Sequence, residues 1–416
     1  MKPRRRQKLF TATIVVVGMA IGAVYGWIWW EDRPLRLAEH ALLRNDSREA
    51  LRLVNAYLAG DSQNGRAQGL KARALIGLHR WDEAIQIFSR HGAATFDELH
   101  ALAQALLHLQ HWSEALPVLD NLLKRQPKHP DVLHEITACR SFLGLHDEAL
   151  RSAQQLAELP GFEARGFVQL GTLHQAHRNR KSAVESWARV LDFAPDAMNL
   201  QIPPHEFFLA YGGALLDNGQ PREAIPVLQR SVSSQDTADA HTRLAEALTQ
   251  LGNADRSLGE WKRVVELDPS HRLARESLAQ LALEQGEAKQ AFDWLRPVMA
   301  TQDLPSTTTY MLQRIHLLLG HGDEAALWQQ RTDEARRKER LESSINQVMR
   351  EAPQSFWARA VRAFRFAEQG NWIEAENLAQ SLARESPHEP FVQELVVAVR
   401  KRGPLPSLEL LPIKLF

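Results

Sequence analysis

The sequence predicts an all-α fold, a solenoid of about ten helix-turn-helix units over residues 35–390 that follows one N-terminal transmembrane helix over residues 9–30. Three observations predict it. One helical phrase recurs along the chain at a near-constant interval, no period-2 alternation bounded by turn signals occurs, and a long uncharged run stands near the start. The composition agrees, since 44% hydrophobic residues with 22 glycines and 20 prolines among 416 is neither disordered nor collagen-like. The single cysteine, Cys139, allows no internal disulfide and no multi-cysteine zinc site, so stability must come from packing. Fifty basic residues balance fifty acidic ones, which offers no field suited to nucleic acid.

Leu9 to Trp30 is a run of 22 residues without a charge, with Lys2, Arg4, Arg5, Arg6 and Lys8 before it and Glu31, Asp32 and Arg33 after it. At ~1.5 Å per residue such a helix spans the ~30 Å hydrocarbon layer. Trp27, Trp29 and Trp30 suit the headgroup boundary at the far end, and the basic cluster is retained in the cytoplasm by the positive-inside rule. The expectation is a cytoplasmic segment 1–8, a signal anchor 9–30 in the inner membrane, and a periplasmic or extracytoplasmic remainder. Two rival readings stand beside it. A cleaved signal peptide would need a small-x-small site where bulky tryptophans stand, and a buried helix would need a polar face that this run lacks.

The recurrent phrase is an acidic or polar residue, then a small one, then usually an apolar one. Its central residues are Ala50, Ala84, Ala115, Ala149, Ala183, Ala224, Ser257, Ala291, Ala325 and Ala375, and five of the nine intervals between them are 34 residues. Twelve residues before each stands Ala38, Ala72, Ala103, Thr137, Gly171, Gly212, Ala245, Ala279, Gln313 or Ala363, small in all but one unit. Small residues at both positions let two helix backbones cross closely. Twelve residues after the centre, Pro127, Pro195, Pro269 and Pro387 end the second helix, because proline lacks the amide donor and restricts the residue before it. Gly144, Gly219, Gly252, Gly286, Gly320 and Gly370 mark the turn between the two helices, where a left-handed residue closes the first.

On these residues the chain resembles the tetratricopeptide repeat family, in its membrane-anchored bacterial form, over roughly residues 35–390. The resemblance implies a right-handed α-solenoid whose first helices line a concave surface that binds proteins or extended peptides. Three departures stand out. The first two units lack the proline, the ninth has Gln313 at the crossing, and the interval into the last unit is 16 residues too long. Those surplus residues read as one long charged helix near 323–350, in which Glu334, Glu339 and Glu342 alternate with Arg336, Arg337 and Lys338 as on a solvated face. The 41-residue interval places a loop near Ala197 to Pro204, and residues 391–416 read as a helix end followed by an extended tail.

Signatures of metalloproteases, phosphate-binding loops, dinucleotide folds and serine hydrolases are all absent, so no enzyme, cofactor or metal is expected. Cys139 sits two residues after the crossing Thr137 and reads as core. The close pairs His108 with His111, His174 with His177, and His316 with His321 lack the companions of ordinary ligand sets. Trp187 and Trp261, four residues beyond the central small residue, read as packing groups. Asp97, His100, Gln104 and His108 recur at steps of three to four on one first helix, and Asp131 and His134 hold equivalent places on the next. They are polar where a buried face would be apolar, which makes them the expected partner-binding strip. The cationic clamp by which anchored import receptors read acidic peptide ends is missing from these faces. The leading expectation is a membrane-tethered protein-interaction scaffold, with an accessory subunit of a membrane enzyme complex as the alternative.

Overall fold

A computed structural model describes residues 33–301 and 303–411. The expected anchor over residues 9–30 and the last five residues of the expected tail lie outside the described residues, among which no helix is long and apolar enough to cross a membrane. The described residues form 21 α-helices and two 3-10 turns, with no strand. They divide into two compact units that meet at Gln235 and Asp236.

The first unit holds six helix pairs. They are α1 (Arg33–Leu43) with α2 (Ser47–Leu58), α3 (Gly65–Gly77) with α4 (Trp81–His91), α5 (Phe96–His108) with α6 (Trp112–Arg125), α7 (Pro130–Phe142) with α8 (His146–Ala157), α9 (Glu163–Ala176) with α10 (Arg180–Phe193), and α11 (Pro204–Asp217) with α12 (Pro221–Ser234). The second unit holds four pairs and a last helix. They are α13 (Ala238–Gln250) with α14 (Ala254–Leu267), α15 (Arg272–Glu284) with α16 (Ala288–Leu295), α17 (Ser306–Leu318) with α18 (Gly322–Glu351), and α19 (Phe356–Glu368) with α20 (Trp372–Glu385), followed by α21 (Pro390–Lys401).

Every pair is joined through one left-handed residue five positions before the central small residue. Six are the glycines named above, with φ between 71° and 80°, and the other four are Asn45, His79, Gln110 and Arg178, with φ between 56° and 60°. The left-handed backbone turns the chain sharply enough for the second helix to pack straight back on the first. Proline sets the other end. α6, α10, α14 and α20 are each 14 residues long and stop two residues before Pro127, Pro195, Pro269 and Pro387, with the intervening residue extended at φ −131° to −137°. In the ninth pair Arg337 stands at the proline's place, and α18 runs on for 30 residues until Pro353 stops it through Ala352 at φ −136°. The extra length is a helix that was never told to end.

The central small residues are all buried, and all but one of their crossing partners are too. Gly171 and Gly212 meet large residues of the facing helix, so that a Cβ would lie 2.7 Å from the Trp187 indole and 2.5 Å from Leu228. Trp187 and Trp261 are each 2% exposed and fill the space that small residues open. At Gln313, which is half-buried, the filling side chain shifts by one position to Trp328. The core is a string of clusters, each bridging neighbouring repeats. One joins Ala103, Leu119, Leu122 and Ile136, and another joins Leu278, Trp261, Val264 and Ala274. Ala197 and Leu200 anchor the long loop of the fifth interval beside Trp187 and Phe207. After α21 the chain runs back over the last cluster through Leu405, Leu408 and Leu411.

Candidate functional site

The first helices of neighbouring repeats lie side by side, α3 against α5 and α7 against α9. α5 starts with a capping box, in which Thr95 accepts from the Glu98 amide while Glu98 accepts from the Thr95 amide. Gly69 of α3 makes room for that glutamate, since a Cβ there would lie 2.0 Å from its carboxylate oxygen. This fixes the height of α5 against α3 and hence the level of the side chains that follow.

Along this face the polar side chains bond across repeats. Arg73 of α3 pairs with Asp97 of α5 at 3.1 Å. His100 and Gln104 of α5 both reach Glu135 of α7, His100 Nε2 at 2.9 Å from one carboxylate oxygen and Gln104 Nε2 donating to the other at 3.1 Å. Asp131 of α7 accepts from Arg165 of α9 at 3.0 Å, and Gln169 of α9 donates to the His134 carbonyl at 2.9 Å. Phe96 and His129 flank the first of these groups, their rings 5.0 Å apart, with His129 also edge-on to His100.

Burial opposes a charge on His100, but the hydrogen bond and charge of Glu135, aided by Asp131 and Asp97, outweigh it and raise its pKa above the ordinary histidine value. His134 goes the other way. Burial, reinforced by Arg165, holds its pKa below the ordinary value. Among the described residues, three buried atoms of the α7–α9 contact have no hydrogen-bond partner: His134 Nδ1, Arg165 Nε and Gln169 Oε1. The polar network of the face is therefore complete around Glu135 and incomplete one repeat further on.

Of the six residues singled out from sequence, His100 and Gln104 meet at one carboxylate, Asp97 and Asp131 each take an arginine, and His134 lies beside them. His108 is apart, against the Trp81 ring of the preceding repeat at 4.3 Å. Arg73, Glu135, Arg165 and Gln169 were missed in the sequence. Their signal was a partner about one repeat away, 34 residues for Arg165 and 35 for both Glu135 to His100 and Gln169 to His134. The arrangement exchanges hydrogen bonds and ion pairs. Cys139 is buried, its thiol donates to the Trp112 carbonyl at 3.3 Å, and burial pushes its pKa up to about 11, which keeps it protonated and unreactive. Among the described residues no group of three or more metal-ligating side chains assembles.

Family models of the tetratricopeptide repeat match residues 41–109, 96–139, 209–261 and 250–297. Those segments are tetratricopeptide repeats. Proteins built of such repeats act as protein–protein interaction scaffolds, and the fold is typically non-enzymatic. General transcription factor 3C polypeptide 3 of Homo sapiens is 32% identical over 116 residues, which are 27% of this chain. The match spans only 13% of that protein's length. Among solved structures, the C-terminal part of a TPR repeat-containing protein from Cytophaga hutchinsonii is similar at 16% identity, covering 58% of this chain and 98% of the other with a TM-score of 0.48. YrrB, described as a TPR protein with an unusual peptide-binding site, is similar at 18% identity over 50% of this chain and 97% of its own, with a TM-score of 0.38.

Proposed function

We propose that the chain is a membrane-tethered scaffold of a bacterial cell envelope, held in the inner membrane by residues 9–30, with its repeats outside the cytoplasm and its first-helix face binding proteins or extended peptides. The observation that carries the binding site is the polar strip on α5, α7 and α9, which ends in the unpartnered atoms of His134, Arg165 and Gln169. An extended peptide offers an amide donor and a carbonyl acceptor at every residue, and it satisfies such groups without displacing the apolar core. The charge balance of the chain gives no field for nucleic acid.

The test is photocrosslinking in intact cells from a reactive residue at Gln104 or Asp131, set against one at the exposed Glu83 on a second helix. A specific adduct from the first-helix positions is expected. It should disappear when Asp97, His100 and His134 are changed together to alanine with helicity preserved, and adducts indifferent to those changes would move the working surface elsewhere. Topology is tested by a phosphatase joined after Phe416, which should be active outside the cytoplasm.

Gly18, Gly22 and Gly26 share one face of the uncharged run at the spacing that lets membrane helices approach, which favours the alternative of an accessory subunit in a membrane enzyme complex. Partner capture that needs residues 9–30 supports that reading, and full capture by a fragment lacking them removes it.

A further inference from the structure

The second unit contains a cavity of about 1010 Å³ that owes its existence to the overrun of α18. One wall is α18 itself. The other is the short segment from Met299 to Pro305 that links the eighth repeat to α17. Its floor is apolar, built of Met299, Leu304, Ala335 and the nearly buried Trp328. Its rim is charged and unbalanced, with five carboxylates against the two cations Arg331 and Lys338.

Both cations are already engaged. Lys338 is 2.6 Å from Asp303, and the Arg331 guanidinium lies over the Trp328 ring at 4.6 Å. Glu339 accepts from the amide and hydroxyl of Ser306 at 2.8 and 2.6 Å, and Glu342 faces Arg365 at 3.5 Å. Glu334 and Glu368 remain, both exposed and neither with a cationic partner among the described residues. The volume lies at the upper end of the range of small-molecule sites, roughly 300–1,000 Å³, and suits several residues of chain.

We propose that this cleft is a second docking site, and that its occupant is an extended segment of a partner protein carrying apolar side chains together with lysine or arginine. The apolar groups cover the Leu304–Trp328 floor, and the cations reach Glu334 and Glu368. The site uses a second helix and an inter-repeat segment, so it stands or falls separately from the first-helix face described above.

The experiment measures fluorescence polarisation of the full chain with short labelled peptides of one apolar composition, bearing lysines, glutamates or serines. Binding of the lysine peptide at least tenfold tighter than the other two is expected. The double variant Glu334→Lys with Glu368→Lys should abolish that preference, while the matched reversal Glu374→Lys with Glu394→Lys, at exposed residues that do not line the cleft, should keep it. Equal binding of all three peptides, or a preference that survives the cleft variant, overturns the proposal. A tenfold gain in affinity when the chain is ended at Leu411 also overturns it, by assigning the cleft to the chain's own last residues. Retained preference in the Asp97, His100 and His134 triple alanine variant would show that the cleft acts independently of the first unit.

Discussion

Gln110 and Arg178 hold a left-handed backbone that six other repeats assign to glycine, at φ 60° and 56°. A side chain there costs about 1–2 kcal/mol, and glycine's extra freedom in the unfolded chain returns part of that. Changing either residue to glycine should therefore raise stability by roughly 0.5 kcal/mol, read as a higher midpoint in urea, whereas Gly252→Ala should lower it by about 1 kcal/mol. Gly171→Ala acts through packing, since the new methyl group would sit 2.7 Å from the Trp187 ring, and it should cost roughly 1–3 kcal/mol. The two histidines of the first-helix face give opposite pH signatures. His100 has a raised pKa in the fold, so its contribution is complete below the unfolded value and is lost as pH rises through the folded one. His134 has a lowered pKa, so its contribution is present above the unfolded value and is lost as pH falls. Denaturation at about pH 5.5 and about pH 8.5 should show His100→Gln costing more at the acidic end and His134→Gln costing more at the alkaline end. The sequence placed these residues on one strip because helical spacing is local. It did not place Glu135 or Arg165 there, because a cross-repeat partner becomes visible only when the repeat period is applied to charges as well as to small residues.

Among the elements, α18 states most plainly how a local rule sets a length. Helix pairs, their order and the all-helical class were legible from the period of small residues, because a crossing admits little but Ala, Gly, Ser or Thr. The sequence also showed that the interval into the tenth repeat was too long by 16 residues. The reason lies at one position, where Arg337 leaves the backbone amide in place and the residue before it free to stay helical. The continued helix is then retained because Leu341, Ile345 and Met349 fall on one face and pack on the tenth-repeat cluster. Arg337→Pro should restore the stop, costing about 3 kcal/mol in the helix interior. Hydrogen exchange should show residues 338–351 losing protection while residues 322–333 keep theirs. Protection unchanged across α18 would mean that tertiary packing, rather than the missing proline, determines where it ends. The same variant removes one wall of the acidic cleft, so it should also weaken the lysine peptide. The cleft itself was not legible, because it arises between α18 and a segment some thirty residues earlier whose backbone no periodicity fixes.

At the scale of the whole molecule, the clusters are strung along the chain, each shared by neighbouring repeats, so stability should behave as a sum of repeat and interface contributions. Such an array needs its last apolar face covered, and α21 supplies the cover. Its Phe391, Val392 and Leu395 are fully buried, and the Phe391 ring lies 6.4 Å from that of Phe364 in α19. Burying three such side chains contributes roughly 5 kcal/mol, an upper estimate because the unfolded chain already hides part of that area. Ending the chain after Pro387 should therefore expose Phe364 and Leu382 and lower the stability of the tenth repeat by several kcal/mol on that basis. The neighbour-by-neighbour view makes a sharper demand than a loss of stability. Amide protection should collapse in α19 and α20, fall less in α17 and α18, and stay unchanged through α1 to α12, because no cluster of the first unit contains a residue of α21. Equal loss of protection in both units would instead show a single cooperative transition, in which the last helix holds the first repeats as firmly as its own.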